Sequence, residues 1–264
     1  MTRAPFFLFI TAALSACTPT SEGGDPPPVA ETQTAAVHCA TEAWDDGDTR
    51  PVAVELTVDL ATGDAALGFD RAHEYGSDDP FEFEGRTWST SVVIDAGADL
   101  AIDGDDLTVV AASTDLGAGL WTGTLTSDTY GTRSVVCWED TFVAPHSYDP
   151  QTGDCLDADG NAGFDALPVP YVRASGDGQC GTFEGLSLNE DFLGYPILRG
   201  TDLRGARLAG ATLFFASIHD GRFEGADMTG FEFGYAEITA SADAHTVWPS
   251  DNCSVDGDAM ECFR

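Results

Sequence analysis

The 264 residues contain no lysine, and the 11 basic side chains, all arginine, face 45 aspartates and glutamates, for a formal net charge of -34. A chain this acidic cannot neutralise phosphates, so a nucleic-acid partner is excluded. The surplus describes a strongly solvated, self-repelling surface and fits a salty habitat. Also missing are CxxC pairs, HExxH and GxSxG, which removes the commonest zinc, redox, metalloprotease and serine-hydrolase arrangements. Five histidines, His38, His73, His146, His219 and His245, lie far apart in sequence. No residue set fills the roles of nucleophile, base and oxyanion donor, so the sequence predicts no enzyme, no catalytic residues, no metal and no cofactor. DADGNAG, Asp157 to Gly163, departs from the spacing of an EF-hand loop and reads as a turn, with a calcium loop as the alternative.

What is present begins with an address. MTRAPFFLFITAALSACTPT has one arginine, a short apolar run from Phe6 to Leu14, then small residues. That is the pattern of a secretory signal over 1–16, too short for a membrane span. Leu14-Ser15-Ala16-Cys17 resembles a bacterial lipobox. The resemblance implies lipidation at Cys17 and a membrane partner through the anchor. Thr18, in place of Asp, implies sorting to the outer membrane of the cell envelope. Residues 17–36 then read as a lipidated flexible tether, rich in Pro, Gly, Ser and Thr.

Setting Cys17 aside leaves six cysteines: Cys39, Cys137, Cys155, Cys180, Cys253 and Cys262. An even number suits an oxidising compartment. Fifteen pairings are possible, and the spacing favours Cys39 with Cys137, Cys155 with Cys180, and Cys253 with Cys262.

From 37 to 145 the apolar pattern has period two, clearest in PVAVELTVDL, where Val52, Val54, Leu56, Val58 and Leu60 alternate with other residues. Several short strands at close spacing predict an antiparallel β-sandwich or small barrel. Trp88, Trp121 and Trp138 are read as its core, with a binding face as the alternative.

Beyond a connector at 146–180, a different period appears. Large apolar residues recur every fifth position at Phe183, Leu188, Leu193, Leu198, Leu203, Leu208, Leu213, Ile218, Phe223, Met228, Phe233 and Ile238. Neither a helix nor a strand repeats at five. With small residues two positions earlier, as in Thr201-Asp202-Leu203 and Ala226-Asp227-Met228, the stretch 181–240 closely resembles the pentapeptide-repeat family. That resemblance implies a right-handed quadrilateral β-helix of about three coils, each of four pentapeptides, with 146–180 as N-terminal cap and 241–264 as C-terminal cap. Residues twenty apart should then stack at about 4.8 Å. This places Asp202 beside Arg222, Arg207 beside Asp227, and Glu184, Arg204 and Glu224 in one column. It also stacks Gly185, Gly205 and Gly225. Tyr195, Phe215 and Tyr235 would form an aromatic column, a candidate contact surface for a protein or glycan.

Function is less specified than fold. The mainly β chain reads as a non-catalytic envelope lipoprotein, a structural or binding module. The alternative is an inhibitor of a secreted hydrolase acting through the N-terminal domain. A DNA-mimic role known in the resembled family is disfavoured by the export signal and the alternating charges.

Overall fold

A computed structural model of the chain describes residues 36–42, 44–45, 51–71, 86–89, 91–94, 99–104, 107–128, 131–186, 197–214, 217–234, 237–249, 253–256 and 259–263. Cys17, Leu188, Leu193, Tyr195, Phe215 and Tyr235 lie outside them, and for Trp88, Leu198, Cys253 and Cys262 the description covers only the backbone. Period-two segments become ten strands: β1 (Ala36–Thr41), β2 (Trp44–Asp45), β3 (Pro51–Asp59), β4 (Asp64–Arg71), β5 (Arg86–Ser89), β6 (Ser91–Ile94), β7 (Asp99–Asp103), β8 (Leu107–Thr114), β9 (Gly117–Ser127) and β10 (Gly131–Glu139). They form one antiparallel sheet of order β5-β4-β3-β1-β10-β9-β8-β7-β6, with β2 on β3. The sheet curls into a half-barrel. Its inner face buries Val54, Leu56 and Val58 of β3 with Leu100, Ile102, Val109, Trp121 and Leu125.

The order explains the first disulfide. β1 is the earliest strand but pairs with β10, so Cys39 and Cys137 fall directly opposite one another and are bonded. A crosslink closing a loop of this length removes roughly 4–5 kcal/mol of unfolded-chain entropy.

After β10 the chain leaves the sheet and makes the two-residue pair β11 (Ser147–Tyr148) and β12 (Cys155–Leu156), then the single helix of the described residues, α1 (Val169–Ser175). Proline at the start of α1 and left-handed Gly176 at its end confine it to seven residues. Short as it is, α1 is a wedge. Tyr171 meets Trp138 and Phe142 edge-on at 5.3 and 5.4 Å, and Arg173 donates to the Thr41 carbonyl at 2.8 Å. Trp138, Val136, Leu120 and Ala40 on the outer face of the sheet thereby join one apolar cluster with Val172, Leu203, Leu208, Phe223 and Met228. Residues 34–264 form one compact unit.

The C-terminal strands are β13 (Ile197–Arg199), β14 (Thr212–Phe214), β15 (Ser217–Arg222), β16 (Glu232–Gly234), β17 (Glu237–Ser241), β18 (Cys253–Asp256) and β19 (Ala259–Phe263). Here neighbours are parallel and twenty residues apart: Leu198 pairs with Ile218, Ile218 with Ile238, and Leu213 with Phe233. Single bridges continue the pattern from Asp202 to Arg222, Arg207 to Asp227, and Asp227 to Val247. A parallel ladder needs a crossover, and here the rest of the coil provides it. Leu203, Leu208, Leu213, Ile218, Phe223, Met228, Phe233 and Ile238 are all buried. At the C-terminal end β19 turns antiparallel to β17, and β18 pairs with β19 so that the Cys253 and Cys262 backbones lie opposite each other.

The first coil departs from the expected spacing. Asp177 bridges Asp202 and Thr182 bridges Arg207, twenty-five residues apart rather than twenty. Leu186 accepts from the Thr212 amide while Ile197 pairs with Ser217, so the extra five residues fall between Leu186 and Ile197. Two expected columns are corrected accordingly. The Phe183 amide bonds to the Arg207 carbonyl, and the Gly185 amide to Ala209, so Glu184 and Gly185 stack one pentapeptide later than Arg204 and Gly205. A period of five is silent on how many fives close a turn.

Candidate functional site

Residues 146–165 form a strap laid along one side of the coils. It lies close because that side lacks side chains. Gly205 and Gly225 are both left-handed, and a Cβ on Gly205 would stand 2.5 Å from the Cys155 Sγ, while one on Gly225 would overlap the Tyr148 ring. The Cys155–Cys180 disulfide sits beneath the strap, fully enclosed with Tyr148. Cys180 takes the stacking place that Gly185 was expected to hold, since its amide bonds to the Arg204 carbonyl.

The other end of the strap is fastened by one carboxylate. Asp243 accepts from the Tyr148 hydroxyl, from the Gly225 and His245 amides at 2.9 Å, and from the Thr246 amide and hydroxyl at 3.1 Å. Partial burial opposes its ionisation, but these bonds outweigh it and hold the Asp243 carboxyl below the ordinary aspartate value. The Tyr148 hydroxyl is pushed well above the usual tyrosine range, first by burial and then by its bond to Asp243. Gln179 accepts from the Tyr148 amide at 2.7 Å, which ties the strap to the chain leading into the coils.

A shallow cavity of about 160 Å³ lies between strap and coils, lined by Phe164, Arg207, Asp227, Gly205 and Gly225 among others. The Arg207 guanidinium stacks 5.0 Å over the Phe164 ring and pairs with Glu184. Among the expected charge partners, Asp202 does meet Arg222, at 3.2 Å, and also binds Arg204 at 2.7 Å. Arg207 and Asp227 are backbone neighbours as expected, yet the Arg207 ion pair goes to Glu184 because of the longer first coil.

Two histidines acquire carboxylate partners that sequence distance concealed. His38 Nδ1 lies 3.1 Å from the Thr57 hydroxyl and its Nε2 lies 2.5 Å from Asp140. Thr57 is the direct cross-strand neighbour of His38, so the contact follows from register, and Asp140 also accepts from the Ala36 amide at 3.2 Å. Nearby on the sheet, burial raises the Glu55 carboxyl above its usual value, opposed by Arg173 and then His38. His146 holds the buried Asp165 through its ring nitrogen at 2.8 Å and its amide at 3.0 Å. Both sets act as hydrogen-bond ties between segments.

The DADGNAG turn closes on itself. Asp157 accepts from the Asp159 and Asn161 amides and from the Asn161 side chain, and that side-chain bond is the main reason its carboxyl sits below the ordinary value. Among the described residues no cluster of three or more His, Cys, Asp or Glu is arranged to hold a metal ion. Trp121 and Trp138 are buried, the first in the half-barrel and the second against α1. Sequence reasoning missed the Asp243 hub and the strap. The only trace they left was the recurrence of glycine at 205 and 225.

Comparison with known proteins gives one match. No curated protein and no solved structure matches the chain. The family model described as Pentapeptide repeats (8 copies) matches residues 198–230, the stretch whose strands and bridges stack at intervals of twenty. The C-terminal region of this chain therefore carries pentapeptide repeats.

Proposed function

We propose that the chain is a non-catalytic lipoprotein of the bacterial cell envelope, held by lipid on Cys17 and sorted to the outer membrane, with the repeats as a rigid scaffold. The observation that carries the scaffold reading is the repeat match at 198–230 on coils whose interior is filled by Leu203, Leu208, Leu213, Phe223, Met228 and Phe233. A filled coil has no inner cavity for a substrate, so its outer faces are what it can present. In this reading the coils form a right-handed quadrilateral β-helix, the first turn enlarged by one pentapeptide.

Palmitate labelling of cells, with Cys17→Ala as control, tests the anchor: the label should follow the wild-type chain and vanish from the variant. Labelling that persists in the variant overturns it. A pull-down from envelope extract tests the binding role. Capture of a secreted hydrolase with loss of its activity would replace this reading by that of an inhibitor working through the N-terminal sheet.

A further inference from the structure

The outer face of the half-barrel is divided in two. Near α1 it is covered, with Leu120, Val136 and Trp138 buried in the cluster shared with the coils. Farther along β8, β9 and β10 the same face is open. Antiparallel register sets its side chains in rows across the strands. One row is Thr108, Thr126 and Thr132, and the next is Val110, Thr124 and Ser134, every one of them exposed. A third row, Ala112 and Thr122, ends at the buried Val136, where the covered half begins. Val110, at the β8 end of the central row, is 63% exposed.

None of these side chains is charged, on a chain whose net charge is -34. The flanking strand β7 restores the prevailing sign with exposed Asp99 and Asp103, leaving only Ala101 between them. An uncharged window bordered along β7 by carboxylates repels anionic polymers and anionic membranes at that edge and admits a neutral partner. Its area, three strands about 4.8 Å apart and five residues of about 3.4 Å each, is roughly 200 Å². A stable protein interface needs about 800 Å² per partner. A second copy of the chain, equally acidic, is disfavoured by both size and charge.

Threonine and serine hydroxyls each donate and accept, and they lose free energy if covered by an apolar surface that does neither. Threonine methyls and Val110 supply apolar contact between them. A partner that alternates hydroxyls with C–H faces, and repeats at about the strand spacing, satisfies both. We propose that this grid binds a neutral polysaccharide whose chain crosses β8, β9 and β10. An ice surface offers hydroxyls too, but it is a rigid plane, and a curled sheet keeps its twist while a glycan chain can follow it. The proposal deepens the binding-module reading by naming a partner class and the face that takes it.

Affinity electrophoresis of the full chain in gels containing dextran, a soluble cellulose ether or mannan tests this. Retardation by at least one of the three is expected. Val110→Glu and Thr124→Glu, each placing a charge in the central row, should weaken it at least tenfold, and Thr124→Val should weaken it several-fold while keeping the shape. Ala66→Glu, exposed on β4 outside the grid, should leave it unchanged. Absence of retardation in all three gels overturns the proposal, as does equal retardation of wild type and both glutamate variants. Ice-growth inhibition or concentration-dependent dimerisation lost in the same variants would also overturn it, in favour of the other occupant. Palmitate labelling is read independently, so failure of the glycan partner leaves the envelope scaffold standing and failure of the anchor leaves the glycan face standing.

Discussion

The half-barrel and the stacked coils are both made of short strands, yet they find their neighbours by different rules. In the sheet a strand pairs mostly with the next in sequence through a hairpin, and period two decides which side faces in. β1 breaks the hairpin rule by pairing with β10, and there the chain is stapled by Cys39–Cys137. Among the described strands of the coils, β13 to β17, none pairs with the next one. Neighbours are fixed by the count of residues around a turn, and loop glycines set how closely the strap, itself held by Cys155–Cys180, can approach. Antiparallel pairing thus depends on local turns and one long-range bond, while coil stacking depends on unbroken spacing and on what covers its sides.

Perturbations on both sides of this comparison order themselves by size. Removing Cys39–Cys137 as a double serine variant should cost about 4.7 kcal/mol, against about 3.5 kcal/mol for Cys155–Cys180, because the closed loop is longer. Denaturant midpoints of the two variants check this, and an equal or reversed ranking would mean that the strap, not the sheet, needs its crosslink more. Phe223→Ala, deep in the coils, should cost about 4 kcal/mol through the cavity it leaves. Since the coil cluster includes residues of the sheet, a single cooperative transition is expected. Two separated transitions would show that the α1 wedge does not couple the regions.

A glycine pair isolates the strap. Gly210 and Gly225 are both left-handed, but only Gly225 faces the Tyr148 ring, so Gly225→Ala should cost about 3 kcal/mol and Gly210→Ala about 1 kcal/mol. Similar losses at both would show that the strap yields freely. The Asp243 hub adds a pH dependence: its folded carboxyl titrates below the unfolded value, so its contribution is present above the unfolded pKa and is lost as pH falls through the folded one. The protection factor of the Gly225 amide, which donates to Asp243, should fall in acid once the intrinsic pH dependence of exchange is divided out, and Asp243→Asn should show that loss of protection already at neutral pH. A flat pH profile in the wild type contradicts this. Smallest of all, Arg222→Ala should change stability by no more than about 0.5 kcal/mol, because the Arg222 side chain is half exposed and Asp202 keeps its bond to Arg204.

Much of the fold was legible because the signals were periodic. Val54, Leu56 and Val58 alternate in the sequence and are buried together in the sheet. Leu203, Leu208 and Leu213 sit five apart, and each faces the coil interior. Stacking at twenty also followed from residues, since Asp202 and Arg222 are opposite charges at that distance and do meet. The first coil was misjudged for a physical reason: an inserted pentapeptide preserves the period of five while shifting everything N-terminal to it by one place. The site was harder to see. Asp243, Tyr148 and Gly225 are far apart along the chain and carry no common motif, so their meeting depends on where the strap lies.

Alone, the sequence determined the two kinds of period, the excess of negative charge and the pairing of four cysteines, Cys39 with Cys137 and Cys155 with Cys180, since these are properties of spacing and composition. Tertiary structure decided which glycines lie beneath the strap, which carboxylate fastens it, and which half of the outer sheet face α1 covers. Those outcomes depend on a seven-residue helix and a side-chain-free track meeting in space, and neither leaves a period for the sequence to show.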